Sequence, residues 1–162
     1  MILALDPSLT CCGWAVLTSR RQVADCGRIL PGSSRKPLGQ RLGFLGQELL
    51  EVAAHQPRMT DVIIEVPSGH VGRNRHKGGG AGLSLYGVAV GYVIAIADQI
   101  GTVHLVNETE WTGGTPKDQR VGLIKATTPE YRPHADRDPG GDIADAIALG
   151  QWWLQWGSQL RS

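Results

Sequence analysis

Four acidic side chains, Asp6, Glu65, Asp142 and Asp145, occupy positions where a merely solubilising charge is out of place. Asp6 closes the apolar run Ile2 to Leu5, and Glu65 closes the β-branched run Val62 to Ile64. An ionised carboxylate at the end of a buried strand has to be paired, hydrogen-bonded or bound to a cation. Asp142 and Asp145 open the last amphipathic stretch, three residues and so about 60° apart around a helix. On that helix Ala146, Leu149, Gly150, Trp153, Trp156 and Leu160 form the apolar side, and Ala144, Ala148, Gln151, Gln155 and Ser158 the wet side. Asp142 falls in the middle of the apolar arc and Asp145 on its edge. First-turn acids favour the helix dipole. Two of them on the apolar side, however, repel each other and raise one pKa unless a cation lies between them.

If both strand ends and the helix start meet, the four carboxylates share one point, and no basic residue within these motifs neutralises them. An all-oxygen donor set suits Mg²⁺ or Mn²⁺ and not zinc. Two such ions about 4 Å apart serve phosphodiester hydrolysis, one activating water and the other stabilising the leaving oxygen.

The elements that must deliver these acids follow from the apolar pattern. Ile2 to Asp6, a tight connection and Trp14 to Thr18 read as a hairpin, and Gln22 to Leu30 as a third strand, which together make an antiparallel meander. Leu38, Leu42, Leu45, Leu49 and Val52 recur at three and four, so Leu38 to Ala54 is an amphipathic helix ended by Pro57. Strands from Asp61 to Glu65 and from Thr102 to Val106 flank an apolar helix from about Gly82 to Gln99, and such crossovers place the two strands parallel in the same sheet. Thr115-Pro-Lys-Asp118 has the form of a helix start with Thr115 as cap, running to about Ala126. Thr127 to Gly141 reads as a polar loop, and the last helix runs from Asp142 to about Gln159. The expectation is an α/β fold whose five-stranded mixed sheet, an antiparallel meander plus two parallel strands, is flanked by helices.

At 162 residues the chain is long enough for one domain with its own core, and we read 1–162 as a single domain. A formal net charge of +1 neither demands nor excludes a nucleic-acid partner, so any electrostatic footprint must be local. Cys11, Cys12 and Cys26 have neither disulfide nor zinc spacing and suit a reducing compartment as small buried apolar residues. No charged-then-apolar leader marks export, which makes the sequon at Asn107 incidental and a cytoplasmic protein the expectation. Gly78 to Ala97 lacks charge and holds Gly87 and Gly91 at the spacing of a transmembrane dimer motif. Its glycines and Ser84 favour a buried helix of a protein with no membrane partner.

These motifs resemble the RuvC-type Holliday junction resolvases of the RNase H-like, or retroviral integrase-like, superfamily. The matching pieces are Ile2 to Pro7 with Gly13 following, Ile63-Ile-Glu65, Gly87 to Gly91, and the Asp-x-x-Asp of Asp142 and Asp145 opening an alanine-rich helix. They span nearly the whole chain in the family's order. The resemblance implies an RNase H-like fold, with Asp6, Glu65, Asp142 and Asp145 as catalytic ligands of two Mg²⁺ ions, replaceable by Mn²⁺. It further implies a homodimer that nicks opposed strands of a four-way DNA junction, since a two-fold dimer presents equivalent sites to equivalent strands. The chain departs from the family after Glu65, where Val66-Pro67-Ser68 supplies no aromatic wedge and the next aromatic is Tyr86. It departs again at Glu108-Thr-Glu110-Trp111, where the family carries a basic residue and Lys117 is the nearest match. A diverged, phage-encoded member acting in the bacterial cytoplasm would show such differences.

Arg73, Arg75, His76 and Lys77 follow Glu65 in a glycine-rich loop and, with Lys117, are the candidate DNA-phosphate contacts. Arg20, Arg21, Arg35 and Lys36 read as ordinary surface, His104 as a core or edge histidine, and Trp152, Trp153 and Trp156 as core or dimer contacts. His134 precedes Asp142 closely enough to raise the question of an approach to the metals. Two other functions compete. The Asp-Pro-Ser-Leu-Thr opening is similar to the phosphate loop of the actin, sugar-kinase and Hsp70 ATPases, although those close two lobes on a nucleotide. A junction-binding protein without catalysis is the other, and it would have no need of four acids.

Overall fold

The computed structural model describes residues 1–67, 79–157 and 159, with the backbone alone for 79–84. Strands β1 (Ile2–Asp6), β2 (Cys12–Leu17) and β3 (Val23–Ile29) form the expected meander, followed by α1 (Leu38–Ala54). Then come β4 (Asp61–Val66), α2 (Gly79–Ala97), β5 (Thr102–Asn107), α3 (Glu108–Thr112) and α4 (Lys117–Thr127). A 3₁₀ segment, Pro129–Arg137, leads into α5 (Asp142–Trp156). The sheet order is β3-β2-β1-β4-β5, antiparallel in β1/β2 and β2/β3 and parallel in β1/β4 and β4/β5. This is the five-stranded mixed sheet that the pattern implied, and it has the RNase H-like topology.

Alternation along the strands sorts the core into two layers, because successive residues point to opposite faces. Ile2, Ala4, Ala15, Leu17, Ile63 and Val106 face α5 and pack on Ile143, Ile147 and Leu149. Leu3, Leu5, Val16, Val62 and Ile64 face the other way onto Leu45 and Leu49 of α1 and Val93 and Ala97 of α2. Helix α2 is less enclosed than a buried helix, with Leu85 and Val88 each 43% exposed. Among the described residues, no helix is long and apolar enough to cross a membrane.

Helix α5 lies against the sheet through two glycines. A methyl on Gly150 would stand 2.4 Å from a Leu17 methyl, and one on Gly13 of β2 would stand 2.0 Å from the main-chain oxygen of Asp142. This approach rotates the helix from the wheel drawn above. Ala144 is buried at 1% exposure, and Trp156, assigned to the apolar side, is 46% exposed.

Local details correct three further expectations. Thr115 does not cap α4, which begins after Pro116 with no side-chain cap; the Thr115 carbonyl instead accepts from Arg120 Nη1 at 2.6 Å. The run Glu108 to Thr112, given no structure from sequence, is a helical turn in which Glu110 Oε2 accepts from the Asn107 backbone at 3.0 Å. The polar stretch before α5 holds the ordered 3₁₀ segment, with Tyr131 buried.

Candidate active site

Asp6 ends β1 and pairs in register with Gly13, which pairs in turn with Arg28. Leu5 is level with Ile64 on the parallel neighbour, so Glu65 follows at the height of Asp6, one strand spacing or about 4.8 Å away. All of these positions have the parity that faces α5. Since the first turn of α5 sits directly on Gly13, Asp142 and Asp145 arrive beside Asp6 on that same face. The fold thus brings the three acidic motifs to one end of the sheet.

The start of α5 is fixed by a residue that sequence reasoning missed. Asp138, 4% exposed, accepts the backbone N–H of Asp142 at 2.9 Å on Oδ1, and those of Ile143 at 3.1 Å and Ala144 at 3.2 Å on Oδ2. Tyr131 Oη donates to the same Oδ2 at 3.0 Å. A carboxylate on the free N–H groups of a helix satisfies orphan donors and the positive end of the dipole together. The signal was an acid four residues before the helix, reached because Gly141 takes a left-handed turn at φ 69°.

Asp6 and Glu65 respond to burial and to their neighbours. Burial raises Asp6 well above the ordinary carboxylate range; Glu65 adds to the rise, Lys117 opposes it, and Asp145 and Asp142 contribute further. Burial first, then Asp145 and Glu108, raise Glu65 to about 7 against the pull of the Trp111 hydrogen bond and of Arg120. On α2, the Tyr86 phenol is pushed up by burial and then by Glu65 and Asp6, so its ring borders the site although it stands 21 positions beyond Glu65 in the chain.

Positive charge reaches the acids from α4. Lys117 Nζ lies 2.9 Å from Asp145 and 3.4 Å from Asp142. Arg120 holds Asp145 through Nε at 3.1 Å and Nη2 at 3.2 Å. Burial pulls the Lys117 ammonium down, but the hydrogen bond and charge of Asp145, with Asp6 and Asp142, raise it overall. Arg120 also stacks over the Trp111 ring at 4.9 Å, and Trp111 Nε1 donates to Glu65 Oε2 at 3.0 Å. A line of contacts therefore runs Glu65, Trp111, Arg120, Asp145, placed by α3 and α4, whose side chains sequence reasoning left out apart from Lys117. Asp145 is the more deeply buried of the α5 pair, the reverse of the helical-wheel order, because α4 covers it.

In this arrangement no three His, Cys, Asp or Glu side chains among the described residues stand close enough to hold an ion. Both oxygens of Asp145 are instead occupied by Lys117 and Arg120. The donor chemistry nonetheless fits a hard divalent ion. All four groups offer oxygen alone, and burial together with the neighbouring acids disfavours the charged form of Asp6 and Glu65, a cost that a cation held there would offset.

The other candidates fall elsewhere. Arg73, Arg75, His76 and Lys77 lie outside the described residues. His104 pairs with Asp61 at 2.8 Å and packs on Trp153, near the opposite end of the sheet. His134 sits in the 3₁₀ segment without a hydrogen bond or ion pair to the four acids. Cys12 and Cys26 are buried as expected, and Cys11 is half-exposed. Its thiol is pushed up to about 12 by burial, then by a hydrogen bond with Asp142, with the Arg28 guanidinium pulling the other way.

The sheet order, its register and the α5 crossing define the fold of the RuvC-type resolvases. Among solved structures, the chain is similar to Thermus thermophilus RuvC in complex with a Holliday junction substrate, at a TM-score of 0.74 and 18% identity over 98% of this chain and 94% of that one. It is also similar to the fowlpox virus resolvase bound to its substrate junction, with a TM-score of 0.57, 14% identity and coverage of 96% and 99%. The yeast mitochondrial Holliday junction resolvase matches at 0.57 with 12% identity, over 99% of this chain and 81% of that one. No family model and no curated protein matches the sequence.

Proposed function

We propose that this chain is a divalent-metal-dependent endonuclease that resolves four-way and other branched DNA junctions. The observation that carries the reading is the packing of Asp142 on Gly13, the register partner of Asp6, with Glu65 following at the height of Asp6 on the neighbouring strand, so that α5 starts beside the two strand-end acids. Likeness in fold to two resolvases solved with junction DNA supports the substrate class.

Asp6, Glu65, Asp142 and Asp145 are the groups that would hold two Mg²⁺ ions, or Mn²⁺ in their place. Bound there, such ions supply activation of a water and stabilisation of the leaving 3′ oxygen. The protein's own part is positional. Asp138 aims the α5 acids, Trp111 orients Glu65, and Arg120 fixes Asp145. Lys117, 43% exposed, has the freedom to exchange its carboxylate partners for a DNA phosphate. Arg73, Arg75, His76 and Lys77 remain candidates for gripping the backbone beside the cut. A homodimer matches the two-fold symmetry of the junction, and the exposed Leu85 and Val88 of α2 offer apolar surface for such pairing.

A panel of end-labelled branched and linear duplexes, incubated with and without Mg²⁺ or Mn²⁺ and read on a denaturing gel, tests the proposal. Paired nicks in the four-way junction are expected. Absence of cutting in either metal rejects catalysis. One observation favours the second reading, junction binding without cleavage: Lys117 and Arg120 already neutralise the α5 acids. Tight binding without nicks would select it.

A further inference from the structure

We propose that Arg28 holds a DNA backbone phosphate beside the candidate site, on the β3 side of α5. The inference rests on the endonuclease reading and adds a contact that the sequence did not suggest. Arg28 on β3 is level with Gly13 on β2 and Asp6 on β1. Two strand spacings separate it from Asp6, about 10 Å. Cys26, two residues earlier on β3, packs in the core layer under α5, so Arg28 presents its side chain on that same face. The first turn of α5 stands on Gly13, between Arg28 on one side and Asp6 and Glu65 on the other.

The electrostatic contrast between the two flanks is the physical reason. Lys117 and Arg120 on the α4 side are engaged by Asp142 and Asp145. The Arg28 side chain is only partly buried and, among the described residues, makes no ion pair or side-chain hydrogen bond, although its guanidinium acts on the Cys11 thiol. With the α5 acids paired to Lys117 and Arg120, a phosphodiester approaching without bound metal is repelled by Asp6 and Glu65, and a guanidinium in the same row offsets that repulsion. Its planar fork matches two phosphate oxygens. One strand of DNA carries a phosphate per 3.4 Å of axis, so 10 Å corresponds to about three nucleotides. Arg28 therefore reads a phosphate within about three nucleotides of the scissile one, and it contributes affinity and strand direction without sequence preference.

The test uses the full chain carrying Asp6→Asn, which separates binding from cutting, titrated with a labelled four-way junction across a salt series. Arg28→Gln should weaken binding and lower the slope of log K against log salt by about 0.9, one phosphate's share. Arg28→Lys should keep the parent slope. Arg58→Gln, an exposed arginine near the opposite end of the sheet, should leave slope and affinity unchanged. Ethylation interference on the Asp6→Asn parent, which requires no second variant to fold, should find a sensitive phosphate within about three nucleotides of the wild-type nick. An unchanged slope for a folded Arg28→Gln, an equal loss for Arg58→Gln, or no sensitive phosphate in that interval overturns the assignment. If the parent binds no branched DNA at all, the proposed function falls first and takes Arg28 with it.

Discussion

Gly13 and Asp142 are in main-chain contact: a methyl group built on the glycine would stand 2.0 Å from the aspartate's carbonyl oxygen and 2.4 Å from its carbonyl carbon. Because Gly13 is the register partner of Asp6, that contact fixes the distance between the first acidic motif and the last. Gly13→Ala cannot be accommodated by turning a side chain, since both partners are backbone. Overpacking of this kind costs about 1–3 kcal/mol. Denaturant unfolding should show the loss, and junction nicking should fall further than stability alone accounts for.

Asp6→Asn should abolish nicking and leave junction binding intact or tighter, since one negative charge fewer faces the phosphates. A gel-shift titration beside the cleavage assay checks both halves. Cutting at the wild-type rate would remove Asp6 from the site.

Trp111→Phe keeps a ring beneath Arg120 but removes the donor to Glu65 Oε2. That hydrogen bond lowers the Glu65 pKa. Its loss should therefore move the acid limb of the nicking pH profile upward, and the stability change should be on the order of 1 kcal/mol. An unmoved pH profile would reduce Trp111 to packing.

Asp138→Ala strips three backbone N–H groups of α5 and the buried Tyr131 hydroxyl of their acceptor. A lost cap typically costs about 1 kcal/mol, and stranding a buried polar group adds about 1–3 kcal/mol. Thermal unfolding should show a clear drop in Tm. Nicking should decline as well, because the α5 acids lose their anchor.

Stability without divalent ions should depend on pH in a direction set by Glu65 and Asp6. Glu65 is raised from 4.5 to about 7 on folding, and Asp6 also rises. A raised carboxyl binds its proton more tightly in the folded state, so its stabilisation is full below the unfolded pKa and is lost as pH climbs through the folded one. Between about pH 4.5 and 7 this contribution to Tm should therefore fall, with a further loss at the raised Asp6. Added Mn²⁺ should recover more Tm at pH 8 than at pH 5.5, which differential scanning calorimetry can measure.

The chain's local chemistry was enough to specify its five strands and the helices α1, α2, α4 and α5, though not α3 or the 3₁₀ segment. The β-branched run Val62 to Ile64 and the period of Leu38, Leu42, Leu45 and Leu49 placed β4 and α1 within a residue of where they lie. Asp-x-x-Asp before an alanine-rich run marked the start of α5, because an acid on an apolar arc is anomalous before any contact is known. Which acids sit deepest, and what faces them, were decided only by long-range packing. Gly13 and Gly150 let α5 rotate and approach the sheet, burying Ala144 and exposing Trp156. Helix α4, distant in pattern from every acidic motif, turned Arg120 and Lys117 onto Asp145. Periodicity records which face of a helix is apolar. It carries no record of which neighbour covers that face, so Arg120, Trp111 and Asp138 acquired their roles from the tertiary fold.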